Sequence, residues 1–272
     1  TCLNADCARA INGENNKTSN SFFIFLSNKK ISAKIIILKM KKLIYTILFI
    51  FLGITSTIAQ NQQEIIENMR EEVSFLASDQ LEGRQTGSKG EKIAAEYIKN
   101  KFKSYNLTPK GEDNYFQYFE ANVKKNPHSQ EIKSKIKGTN VVGYINNQQD
   151  ETIIIGAHYD HLGYGDFGSL YDGEKEIHNG ADDNASGVSI LINLAKSLQE
   201  IKNYNYLFIA FSGEEHGLFG SSYYAKNPTI NLENVRFMIN FDMVGRLNQN
   251  NTLSINGIGT SNEWKNLINE AN

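Results

Sequence analysis

The chain of 272 residues sets 28 Lys and Arg against 30 Asp and Glu, a formal charge of -2, with 40% of its residues hydrophobic and 21% charged. That is enough apolar material to fill one large domain without covalent staples, and the near balance of charge argues against a nucleic-acid binder, which usually shows a basic face, so no nucleic-acid partner is expected. The only cysteines are Cys2 and Cys7, so beyond them neither a disulfide scaffold nor a thiolate metal site is available, and any metal must be held by His, Asp and Glu.

In chain order, the first feature is Met40-Lys41-Lys42 followed by LIYTILFIFLGITSTIAQ. A basic start, an apolar run and small residues before Gln60 are the layout of a secretory signal peptide over residues 40–59, with cleavage expected after Ala59 and a secreted or periplasmic mature protein. The competing reading is an uncleaved anchor, because the run approaches bilayer-spanning length. The small-residue exit favours cleavage, after which no stable membrane insertion is expected. Residues 1–39 open with Thr1 and precede this leader, so they read as an upstream or non-native extension outside the fold.

From Ile65 to Leu76, and again through Ile93, Tyr97, Ile98, Phe102 and Tyr105, apolar residues recur at helical spacing, predicting two amphipathic helices joined by a turn around Gly83 and Gly87. Short strands are expected near Tyr115 to Val123 and Asn140 to Ile145, with a polar stretch between them. Then come apolar runs bounded by Gly and Asp, at Thr152 to Ala157, Tyr206 to Phe211 and Arg236 to Phe241, with a helical segment from Gly187 to Leu198. Such runs read as buried strands of a mainly parallel central sheet flanked by helices, an α/β domain over residues 60–272.

Polar, metal-capable residues follow all three runs at their carboxyl ends, where open α/β sheets build sites. His158, Tyr159 and Asp160 follow the first; Glu214 and Glu215 the second; Asp242 the third. A fourth cluster, Gly180 to Gly187 with Asp182 and Asp183, opens the helix. Singly, each has a bland explanation: a hydrogen-bonded turn, a helix cap, a solvated charge pair. Together they suit zinc, and a carboxylate between two metals can bridge the roughly 3.5–4 Å separation of two-metal hydrolases. Asp160 lies on the same side of an extended chain as His158, so its carboxylate is expected to accept the other ring N–H. Of the two adjacent glutamates, one would bind metal while its neighbour acts as general base.

The segments GAHYDHLG, NGADDNASG, FSGEEHGLFGS and INFDMVGR resemble, in order and spacing, those of metallopeptidase family 28, the bacterial leucyl aminopeptidase type, over roughly residues 65 to 272. The resemblance implies a zinc-exopeptidase-like fold, peptide substrates and two Zn2+ per complete domain. It implies His158 and Asp242 on one zinc, Glu215 on the other, Asp183 bridging them, Glu214 as general base and Asp160 orienting His158. It also implies a cis bond between Asp183 and Asn184. His161, His178 and His216 are not ligand positions in the family and are expected either at the rim or behind the ligands as their hydrogen-bond partners; Asp182 is expected to shape its loop and His128 to be solvated.

The family's further His ligand has no counterpart after His216, and the last residues look like a helix begun near Ser261, so the chain is expected to be a C-terminally truncated piece, weakly active or inactive alone. Two alternatives remain open: a single-zinc glutaminyl cyclase and a non-catalytic receptor-like ectodomain.

Overall fold

The structure, a computed structural model, describes residues 38–46, 62–124, 131–166 and 168–271. The expected cleavage point after Ala59, both cysteines and His128 lie outside the described residues. The chain divides into two compact units, Thr1–Glu64 and Ile65–Asn272. In the first, residues 38–46 form an exposed helix. Among the described residues, no helix is long and apolar enough to cross a membrane.

The second unit holds a six-stranded sheet. Its elements are helix α1 (62–76, of which 65–76 belong to this unit), α2 (Lys89–Ser104), β1 (Thr108–Pro109), β2 (Phe116–Lys124), β3 (Ile132–Ile145), β4 (Thr152–His158), α3 (Gly187–Ser197), β5 (Asn205–Phe211), α4 (Phe219–Lys226), β6 (Val235–Phe241) and α5 (Trp264–Ala271). Strands β5, β4 and β6 run parallel, with β4 in the middle, while β3 lies antiparallel to β5 and takes β1 and β2 on its other side. The parallel character is thus confined to the three strands whose ends carry the candidate residues.

Every residue of β4 and β5 is buried, as strands covered on both faces should be. Because side chains alternate across a strand, Ile153, Ile155, Ala157, Phe208 and Ala210 pack on one face with Ile98 and Phe102 of α2 and Leu191 and Ile192 of α3. Ile154, Leu207, Ile209 and Phe211 pack on the other with Tyr224 of α4. β3 is longer than its apolar residues suggest. The polar stretch Ile132 to Thr139, read from sequence as a connection, pairs with β2 in an antiparallel hairpin, where one face can stay solvated and polar residues are tolerated.

Helix α2 starts on Ser88, whose hydroxyl accepts the Glu91 N–H at 3.1 Å. Glu91 is itself buried and serves as a four-way acceptor. It takes Gly87 N at 3.1 Å, Thr139 N at 3.0 Å, Tyr159 OH at 3.1 Å and Ser212 Oγ at 2.7 Å, so one carboxylate joins α2, β3 and the ends of β4 and β5. Burial pushes its pKa up, and the donated hydrogen bonds oppose that shift. Removing the acceptor strands several buried donors, each worth roughly 1–3 kcal/mol. Glu91→Ala is therefore expected to cost about 3 kcal/mol or more in urea unfolding, against about 1 kcal/mol for the cap variant Ser88→Ala.

Candidate metal centre

The parallel register sets three strand ends level. His158 pairs with Phe211, and Ala157 with Phe241, so His158, the Ser212 to Glu215 turn and Asp242 leave the sheet along one edge. The fourth component arrives on the tight turn Ala181–Ser186, entered through Gly180 in the left-handed conformation (φ 59°), where a β-carbon would lie 2.3 Å from the Asp183 carbonyl oxygen. The Asp183–Asn184 peptide bond is cis.

Asn184, fully buried, staples this turn to the strand ends. Its Nδ2 donates to the carbonyls of His158 (3.2 Å) and Phe241 (2.9 Å), and its Oδ1 accepts Gly187 N (3.0 Å) and Met243 N (3.2 Å). Asp182 shapes the loop as expected, accepting Gly245 N at 2.8 Å, and Ser186 Oγ accepts Val244 N at 3.1 Å.

These ties bring His158, Asp183 and Asp242 together. His158 Nε2 lies 3.2 Å from Asp183 Oδ1 and 3.3 Å from Asp242 Oδ1. One ring N–H cannot serve two acceptors well, whereas ligands about 2.0–2.2 Å from a tetrahedral zinc sit roughly 3.3–3.5 Å apart. The donor set and its spacing fit a metal ion. Electrostatics points the same way. Burial works against a charged His158 ring, but Asp160, Asp183 and Asp242 outweigh it and push its pKa up to about 12. A position that holds a proton so firmly favours any cation.

Asp183 serves a second group through its other oxygen. His161, Asp183 and Glu215 also converge, with His161 Nδ1 2.7 Å from Glu215 Oε1 and 4.0 Å from Asp183 Oδ2. His161 is buried, so of its two expected places it takes the one behind a ligand rather than the rim. Burial opposes ionisation of Asp183, yet His158, His161 and Arg84 hold its carboxyl below the usual range. Glu214 is pushed the other way, by burial first and then by Glu215, Asp160 and Asp242.

Asp160 departs from expectation in how it acts. The ring nitrogen His158 Nδ1 meets the Asp160 main-chain carbonyl at 3.2 Å, while the carboxylate is 3.8 Å away, beyond hydrogen-bond reach. The carboxylate is instead drawn to donors on its far side: Thr86 Oγ1 at 2.9 Å, Glu214 N at 3.1 Å and Glu215 N at 3.4 Å. It fixes the glutamate turn and leaves the imidazole to the backbone. His178, which meets Ser169 Oγ at 3.2 Å, and His216 belong to neither group among the described residues. Thr86, Arg84, Glu91 and Asn184, all part of this framework, were not singled out from sequence.

The family model described as Peptidase family M28 matches residues 140–272. A probable leucine aminopeptidase of Trichophyton verrucosum is 30% identical over 133 residues, 46% of this chain and 34% of that protein. Among solved structures, the chain is similar to a leucine aminopeptidase precursor from Bacteroides thetaiotaomicron, with a TM-score of 0.54 and 20% identity over 66% of this chain and 62% of that one. It is similar also to a glutaminyl cyclase of the same organism, with a TM-score of 0.53 and 20% identity over the same shares. At such identity the likeness is one of fold. The chain spans less than half the length of the curated relatives it matches.

Because Asp160 holds the glutamate turn, Asp160→Ala should weaken metal binding by about 10- to 100-fold, the usual effect of losing a partner behind the ligands. Competition against a chromophoric chelator measures it.

Proposed function

We propose, from the match of residues 140–272 to the model of peptidase family M28, that this chain is a zinc-dependent exopeptidase that removes N-terminal residues from peptides, with Glu214 as general base. The observation that carries the reading is the position of Asp183, one oxygen toward His158 and Asp242 and the other toward the Glu215 group. His158, Asp183 and Asp242 would hold one zinc; Asp183 and Glu215 would hold a second. His161 and Glu215, 2.7 Å apart, are closer than two ligands of one tetrahedral ion, and at that distance the imidazole is a charge-assisted hydrogen-bond donor that orients the carboxylate.

When bound, zinc at such a site brings the pKa of water to about 7 and polarises the scissile carbonyl. The chain's own residues would do the rest. Glu214 is anchored through its backbone N–H on Asp160, and its raised proton affinity suits it to take a proton at a carboxylate oxygen and return it to the leaving amine. Residues 40–59, as a signal peptide, would place this chemistry outside the cytoplasm.

The second reading, a single-zinc glutaminyl cyclase, draws on one contrast: only the His158 group has ligand-like spacing. Metal stoichiometry separates the two, two ions per chain for the peptidase and one for the cyclase. Within the peptidase reading, and in a parent that turns over an amino-acid anilide, Glu214→Gln should keep its zinc and lose roughly 10²–10⁴-fold in kcat, while Glu215→Gln should lose metal. A Glu214 variant stripped of zinc beside a Glu215 variant that keeps both zinc and turnover would reverse the roles.

A further inference from the structure

Arg84 is one of the largest fully buried side chains, 1% exposed, and among the described residues no carboxylate pairs with it directly. All of its described hydrogen bonds go to main-chain carbonyls. Nε donates to Tyr159 O at 2.8 Å; Nη1 donates to Asn179 O at 2.7 Å and to Leu76 O; Nη2 donates to Gly180 O at 3.0 Å. Tyr159 stands between His158 and Asp160. Asn179 and Gly180 lead directly into Asp182 and Asp183. Leu76 ends α1, where free helix carbonyls favour a cation.

The main chain of the same segment grips the site as well. Arg84 O accepts His161 N at 3.3 Å, Gly83 O accepts Gly163 N at 3.1 Å, and Thr86 reaches the Asp160 carboxylate. Residues 83–86 therefore run alongside 159–163, bonding to each side of Asp160. To do so, Glu82, Gly83 and Arg84 all take left-handed backbone conformations, with φ of 49°, 69° and 48°. Non-glycine residues hold such conformations only where their surroundings enforce them. At Gly83 a β-carbon would lie 2.5 Å from His178 O and 2.6 Å from Gly163 O, so only glycine allows this approach.

We propose that Arg84 is a positioning residue of the metal centre: its guanidinium locks the turn carrying His158, Asp160 and His161 to the turn carrying Asp183, and so sets the separation of the ligands. The inference rests on the metal-centre reading given above. A lysine cannot replace it, because the planar fork addresses carbonyls from three segments at once, whereas an ammonium is a single point with three donors. Although burial lowers its pKa to about 10, the side chain stays charged at neutral pH, helped by Asp160, Asp183 and Glu215.

The test compares zinc affinity, by chelator competition, in the full chain and in R84K, R84M and E72Q. Glu72 is equally buried and bonds Ser189 and Asn193, away from the site, so E72Q controls for plain loss of stability. R84K is expected to bind zinc about 10- to 100-fold more weakly, R84M at least as weakly, and E72Q as well as the parent. Parent-like affinity in R84K, or an equal loss in E72Q, overturns the proposal. Should R84K fail to fold, the parent protein decides: the Arg84 Nε–H resonance should exchange slowly and shift in step with zinc addition, and a resonance that stays put as zinc binds overturns it. A parent that binds no zinc removes the centre itself, an outcome distinct from one in which parent and R84K bind alike.

Discussion

The register of three parallel strands is the constraint on which the rest of this structure depends. With β4 between β5 and β6, and His158 level with Phe211 and one step past the Ala157–Phe241 pair, the side chains that follow each strand emerge along one edge. A slip of one residue in either pairing would turn alternate side chains to the opposite face and scatter the ligands. What fixes the register is the burial of both faces of β4 and β5, since Ile153 and Ile155 serve one core and Ile154 the other. The two-sided burial that forms the fold also aligns the site.

Negative charge then gathers around two buried residues, with Asp183 partly exposed and Asp242 exposed. His158 and Asp160 are buried, and Asp183, Glu214, Glu215 and Asp242 approach them from three loops. Buried charges persist only when paired and hydrogen-bonded, and here backbone amides, Thr86 and two imidazoles supply partners. The carboxylates that outweigh burial at His158 are those that would favour a divalent cation. Arg84 and Glu91 work behind this cluster with opposite polarity, the first gathering carbonyls and the second gathering donors. Both bind the α1–α2 turn to the ends of the central strands.

Most residues that meet at the site were legible in the sequence because they follow apolar runs: His158 after TIIIGA, Glu214 and Glu215 after YLFIAF, Asp242 after MINF. Asp183 stood out instead by its acidic turn before a helix, and the roles of individual residues came from the family resemblance. The framework behind them was not legible. Arg84 bonds carbonyls 75, 95 and 96 residues away, and a side chain that pairs with main chain leaves no complementary residue type to find; Glu91 bonds hydroxyls and amides as far as 121 residues off, which carry no opposite charge to mark the pairing. Asp160 was placed correctly but assigned the wrong atoms, because chain alternation gives direction and not which of two acceptors is nearer. The first half of β3 was missed for another reason: its Lys, Ser and Thr residues read as a connection, whereas a hairpin with a solvated face tolerates them.

Whether Asp183 is shared between two metal positions, one completed by His158 and Asp242, is tested most directly by anomalous scattering at the zinc edge from crystals of the zinc-loaded protein. A shared Asp183 predicts a peak bonded by His158 Nε2, Asp183 and Asp242, and a second about 3.5–4 Å away on Asp183 and Glu215. A map with no peak on His158, or with its only peak at His178 or His216, would contradict it.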